Sequence, residues 1–554
     1  MSARAPADLV FVNGAIYTVD AARRRVGAVA VKDGRVTAVG FDTDVRGSIG
    51  ARTEVIDLAG RMLLPGFQDA HVHPVHGGLA LIRCGVHAAS TAEECLRMIR
   101  AYVGKHSDVR WILGGGWALD AFPGGTPTRE ALDDIVADRP AFITNRDGHG
   151  AWVNSAALKI AGITRDTPDP ADGRIERDER GEPSGTLHEG AMDLVGRHAP
   201  PPSFEDRVEA LRRGQAYLHS LGITAWQDAI VEAGSEYEAY LELAGTGELT
   251  ARVVGALWWD RSRGLEQIEE LVDLRERGRV GRFRATSVKI MQDGIVENFT
   301  AGVLEPYLDR SGRPTDNRGL SFVDPELLND VVIRLDAEGF QVHFHAIAER
   351  AVREALDAIG SARSRNGPND LRHHIAHIQV VHPDDITRFR ALGVVANAQP
   401  LWAAHEGQMD RLTIPFLGVE RSTWQYPFAS LVRAGATLAM GSDWSVSTPN
   451  PLEEIHVAVN RKMPPGYPYL GEGISGEVFL PDERLDVPTA IAAFTMGSAY
   501  VDHLDAETGS IEPGKLADLV VLDRDLFAIP AEELASATVD MTFVEGEPVF
   551  ERSR

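Results

Sequence analysis

The sequence predicts an α/β protein: a (β/α)8 TIM-like barrel, a composite β-sandwich assembled from the N- and C-terminal segments, and an insertion after the first barrel strand. Three observations predict it. Between about residues 66 and 500, short apolar runs alternate with helical stretches, the pattern of a parallel sheet with crossover helices. Residues 8–60 and 509–550 read instead as short β-runs broken by tight turns. The stretch 74–222, between the first two barrel strands, is too long for a loop and must carry structure of its own. The chain therefore divides into 1–65 (first part of the sandwich), 66–500 (barrel with its insertion) and 501–554 (second part of the sandwich).

In chain order, Asn13-Gly14 and Asp33-Gly34 separate apolar runs and mark hairpins of a small N-terminal sheet. That sheet is too short to bury a core alone, and the C-terminal runs at 518–523, 539–544 and 549–550 have the same texture. The two ends are expected to join. Barrel strands are expected at 67–72, 223–228, 253–258, 285–291, 340–345, 374–379, 394–399 and 437–443. Helices are expected at 326–338, 348–359, 384–392 and 427–434. Inside the insertion, 174–187 reads as a hairpin.

Composition narrows the partners. The net charge of −25 disfavours nucleic acid and anionic lipid. Cys84 and Cys95 are the only cysteines, which excludes a disulfide framework and suggests buried, reduced thiols. No apolar stretch reaches the length of a membrane span, and the N-terminal apolar run is too short for a signal-peptide core. A cytoplasmic location is expected, with no nucleic-acid or membrane partner. A homodimer is the one assembly left open.

Polar residues at the C-terminal ends of barrel strands are where such barrels do chemistry. Those positions hold His71, His73, Lys289, His345, His377 and Asp443. His71 and His73 stand two apart in a strand, so both imidazoles point into one space, and imidazole suits zinc and its neighbours. A lysine in S-V-K-I-M would point a costly ammonium into the barrel. Reaction with CO₂ would turn Lys289 into a carbamate able to bridge two cations. Taken singly, each histidine also reads as an ordinary buried side chain, and Asp443 as a turn cap.

The motifs that carry this pattern are P-G-F-Q-D-A-H-V-H at 65–73, R-D-G-H-G-A-W-V-N-S-A-A-L at 146–158, P-S-G-T-L-H-E at 183–189 and G-I-T-A-W-Q-D-A at 222–229. V-K-I-M-Q-D-G at 288–294, V-H-F-H-A-I-A-E-R-A-V at 342–352, G-S-D-W at 441–444 and G-S-I-E-P-G-K-L-A-D-L-V-V-L-D at 509–523 extend it over nearly the whole chain. With these motifs the sequence resembles the amidohydrolase superfamily, in its branch of N-substituted formamide deformylase-like proteins. The resemblance implies a barrel with a composite β-sandwich and one or two divalent metal ions, usually Zn²⁺. It also implies metal binding by the residues matching His71, His73, Lys289, His345, His377 and Asp443. Ala348-Glu349 departs from the Gly-Asp that many relatives carry there, which should touch helix capping more than chemistry.

The expected activity is hydrolysis of an amide, N-formyl or N-acyl C–N bond, with Asp443 moving the proton. His149 is expected to reach the substrate from the insertion, with a loop-fixing hydrogen bond as its other reading. Trp117, Trp152, Trp258, Trp402 and Trp444, with Trp259 beside them, suggest an apolar or aromatic amide substrate. Deamination of a heteroaromatic amine is the alternative, against which Lys289 argues. A non-catalytic binding protein would not keep all six strand-end positions filled.

Overall fold

A computed structural model describes residues 6–467 and 474–553. Its centre is an eight-stranded parallel sheet: β1 (Phe67–Val72), β2 (Ile223–Val231), β3 (Arg252–Trp258), β4 (Phe283–Met291), β5 (Gln341–Ala346), β6 (His374–His377), β7 (Val395–Ala398) and β8 (Leu438–Met440). The strands lie side by side in chain order. Just beyond β8, Asp443 N donates to His71 O at 2.7 Å and His73 N donates to Trp444 O at 2.8 Å, which brings the last strand back to the first. The expected barrel is present.

β5 shows why such a strand forms here. All six of its residues are buried, as both faces of a parallel barrel strand must be. Val342 and Phe344 join the core beneath the surrounding helices, while alternation sends His343 and His345 inward. The helix that follows, Glu349–Asn366, begins at Ala348, whose side chain offers no cap. The carboxylate of Asp293 accepts from Ile347 N at 2.9 Å and Ala348 N at 3.1 Å instead. The Ala-Glu departure is thus met by an acid from the end of β4.

The two chain ends share one sheet. Leu519–Leu522 pairs antiparallel with Met62–Pro65, within the six-stranded order Glu547–Glu551, Val539–Val544, Leu519–Leu522, Met62–Pro65, Ala15–Tyr17, Arg25–Val26. A four-stranded sheet faces it across a core that includes Phe11 and Phe543, whose rings meet edge to face at 5.3 Å. Met62–Pro65 leads through Gly66 straight into β1, so the sandwich anchors the strand that carries His71.

Between β1 and β2, helices Pro74–Ile82 and Phe204–Ser220 bury Val75, Leu79, Ala210, Leu211 and Leu218 in the barrel core. The inserted structure proper lies between them. It is a six-stranded sheet running from Cys84–Gly85 to Pro183–Glu189, with the expected hairpin at Gly173–Arg177 and Pro183–Glu189. Cys84 and Cys95 are buried free thiols, and burial pushes both up to about 12. Among the described residues, no helix is long and apolar enough to cross a membrane.

Candidate active site

At the C-terminal mouth of the barrel a cavity has His345, His377 and Asp443 in its wall. Asp443 ties the cluster together. His73 Nε2 lies 2.9 Å and His71 Nε2 3.2 Å from its Oδ1, and His377 Nδ1 lies 3.9 Å from its Oδ2. Lys289 Nζ is 3.5 Å from His71 Nε2. His345 packs its ring 4.4 Å from that of His377. The structure thus brings all six strand-end residues into one cluster. One donor atom each from His71, His377 and Asp443 fall within 4.8 Å of one another.

The cluster is buried, and burial sets its charge. Burial drives His71, His345 and His377 well below the ordinary imidazole value and lowers His73 as well, so these rings are neutral donors. Burial also pushes Lys289 down to about 7. For Asp443, burial pulls upward, but the hydrogen bond with His73 and the electrostatic interactions with His377, His73 and Lys289 outweigh it, and the carboxyl lies below its usual value. His377 Nδ1 and His73 Nδ1 are buried with no hydrogen-bond partner among the described residues.

His149 comes from the insertion, one residue before the strand Gly150–Val153. Its Nδ1 is 2.9 Å from Glu189 Oε1, and its ring stands 5.3 Å from that of His345. Asn298 Nδ2 and Thr300 Oγ1 hold the same carboxylate oxygen at 3.0 and 2.8 Å. Burial lowers His149, yet Glu189 overcomes it and raises the imidazole above its ordinary value. His149 is thus fixed by a hydrogen bond to Glu189 and lines the cavity.

The aromatic expectation needs correction. Trp117 and Trp152 are fully buried in a core that the insertion shares with barrel-end residues such as Ile295, Ile347 and Phe416, their indole N–H groups donating to Ile143 O and Thr128 O at 2.9 and 2.8 Å. Neither lines the cavity, because both rings fill that core instead. Trp444 packs its ring 5.3 Å from Tyr217 and lines a neighbouring groove, and Trp258 and the buried Trp259 do not line the cavity. Trp402 alone of these lines it, stacked 5.7 Å from the His377 ring.

The rest of the wall is more acidic than expected. Asp147, Glu297 and Glu406 face the cavity beside Ile295, Met409 and Tyr426. Burial raises all three carboxyls, Glu406 to about 7. Arg146 lies among them and donates to Gln408 Oε1 at 2.6 Å. Asp147 and Glu189 stood inside sequence motifs already singled out, and Glu297 three residues past another. Their residue types were legible, whereas their convergence from separate loops was not.

This fold, with polar residues clustered at its strand ends, is that of a barrel hydrolase. The chain belongs to the amidohydrolase family, whose profile matches residues 54–550. It is 33% identical to Protein LONG AFTER FAR-RED 3 of Arabidopsis thaliana over 98% of this chain and 92% of that protein. It is 29% identical to N-substituted formamide deformylase of Arthrobacter pascens over 99% of both chains. A solved structure of an uncharacterized metal-dependent hydrolase from Pyrococcus furiosus superposes with a TM-score of 0.70 at 28% identity, covering 93% of this chain and 99% of that one.

Proposed function

We propose that the protein is a metal-dependent hydrolase of a non-peptide C–N bond, in an amide, N-formyl or N-acyl compound. The observation that carries this reading is the convergence of His71, His377 and Asp443 donor atoms in a buried cluster. The residues fit a divalent cation such as Zn²⁺: they offer neutral imidazoles and a carboxylate, and the buried Nδ1 of His377 has no partner without one. His71, His73, His345, His377 and Asp443 would hold one or two such ions. Lys289, buried and touching His71, would join them as a carbamate. Bound there, a divalent cation supplies Lewis acidity, polarising a carbonyl and making water nucleophilic at neutral pH.

The chain's own residues supply the rest. Asp443 in the cavity wall accepts the proton from water on a carboxylate oxygen and returns it to the departing nitrogen. His149, raised above its ordinary value by Glu189, offers a ring N–H to the substrate's polar end. Trp402, Met409 and Ile295 shelter the remainder from water, while Asp147, Glu297 and Glu406 select for polarity on the same wall. The substrate is then a small amide with both an apolar and a polar part, not a purely aromatic one. The buried, unpaired thiols of Cys84 and Cys95 suit a cytoplasmic setting.

A panel of amides and formamides assayed with zinc-loaded and chelated protein, scored for released amine, tests the reading. Amine should appear only with the loaded protein; release of ammonia from a heteroaromatic amine instead would mark a deaminase. Elemental analysis should find about one to two equivalents of metal. If the His71→Ala/His73→Ala protein keeps its full metal content, the assignment of the site is wrong.

A further inference from the structure

We infer that Gln227 and His343 are positioning residues that lock His71 into the tautomer with its proton on Nδ1, leaving Nε2 bare toward the candidate metal site. The inference rests on the metal reading for its purpose, but the tautomer follows from the burial and the hydrogen bonds of the rings themselves.

The direction of the chain is set at the floor of the barrel by groups that can only accept. Gln341 Nε2 donates to two backbone carbonyls, Arg372 O at 3.0 Å and Val501 O at 2.7 Å, so its amide has one orientation. Its Oε1 therefore accepts from Gln227 Nε2 at 3.1 Å. The other N–H of Gln227 goes to Asp502 Oδ1 at 2.7 Å. Gln227 Oε1 is left as an acceptor, with His343 Nδ1 at 2.6 Å and His374 Nε2 at 3.0 Å. Both of those nitrogens must carry hydrogen.

A neutral imidazole carries one N–H. His343 and His374 are fully buried with no carboxylate in contact, so each spends its proton on Gln227. His343 Nε2 is then bare, and the group 2.8 Å from it, His71 Nδ1, must donate. Only Nε2 of His71 remains, and it too is bare.

The second branch runs the same way from its own fixed end. Asn397 Nδ2 donates to the carbonyl of Ala70 at 2.9 Å and to His374 Nδ1 at 3.1 Å, which requires that nitrogen to be bare, as the first branch found. Asn397 Oδ1 accepts from Gln399 Nε2 at 3.1 Å, and Gln399 Oε1 accepts from His377 N at 2.7 Å. The network thus links the backbone of His377 to the tautomer of His71. Its outcome is two acceptors facing each other at 3.2 Å, His71 Nε2 and Asp443 Oδ1, an arrangement that a cation between them reconciles. A ligand histidine commonly has its second nitrogen fixed by such a partner, and losing the partner typically costs about 10–100-fold in metal affinity.

The test uses full-length protein labelled with ¹⁵N-histidine and stripped of metal. Long-range ¹H–¹⁵N spectra, with His71 assigned by its loss in His71→Gln, should show that ring protonated at Nδ1. In Gln227→Leu the ring should sample both tautomers, and zinc affinity measured against a competing chelator should fall about 10–100-fold. His343→Gln keeps an acceptor facing His71 and should stay near wild-type affinity, whereas His343→Leu should not. A proton on His71 Nε2 in metal-free wild-type protein overturns the inference even if the Gln227 and His343 variants fail to fold. So does a Gln227→Leu protein with unchanged tautomer and affinity. Wild-type protein with the expected tautomer but no zinc binding would overturn the metal reading and leave the relay standing.

Discussion

The barrel and the insertion each send a histidine into one cavity, and the two arrive in opposite states. His345 stands at the end of β5 among other histidines, and burial drives it well below its ordinary value. His149 stands 5.3 Å away, ring to ring, on a loop of the insertion, and Glu189 raises it. Residue type and depth are shared; the partner differs. A strand-end histidine packed against its own kind is driven below its ordinary value, and a loop histidine against a carboxylate is raised above it. The barrel thus favours lone pairs and the insertion favours a ring N–H, and the cavity exists where the two faces meet.

That contrast can be broken from either side. The largest expected effect is on the barrel side. Asp443→Asn keeps an oxygen at the centre of the histidine cluster but cannot take a proton, so bound metal should stay while turnover falls by about 10²–10⁴. Steady-state kinetics beside elemental analysis checks this, and intact metal with near-wild-type turnover would move the proton chemistry to His149.

A smaller loss is expected on the insertion side. Glu189→Gln removes the charge that holds His149 above its ordinary value, so turnover should fall by about 10²-fold or less. The sign of the pH effect is definite. Activity that needs protonated His149 is lost as pH rises through its raised value, and in Glu189→Gln that limb must move to lower pH. A pH–rate profile with an unmoved alkaline limb would show that His149 only braces its loop.

The smallest effects separate the tryptophans. Trp402→Ala, in the cavity wall, should raise KM by about tenfold. Trp152→Phe should leave KM alone and cost about 1–3 kcal/mol of stability, since it loses a buried indole N–H···O bond to Thr128. A raised KM in Trp152→Phe would return the insertion's core to the substrate.

Much of this was legible before the structure. The period of two puts His71 beside His73 and sends His345 inward with His343, and apolar runs bounded by turns mark the strands that carry them. Strand ends of a parallel barrel converge by geometry, so six residues scattered over 373 positions, 71 to 443, could be gathered from sequence alone. The tryptophans could not be sorted that way. Trp152 and Trp402 carry the same chemistry, and only the packing of the insertion's sheet decides that one is core and the other wall.

What the sequence by itself determined is therefore the scaffold and the inventory of its mouth: local periodicity and turn chemistry act over a few residues and are written in them. What only the tertiary structure decided is who meets whom. Glu189 meets His149 from 40 residues away, Gln227 meets His343 across 116, and His343 meets His71 across 272. A histidine's protonation and tautomer depend on the partner within hydrogen-bond reach, and that partner is chosen by the closing of the barrel and not by its neighbours along the chain.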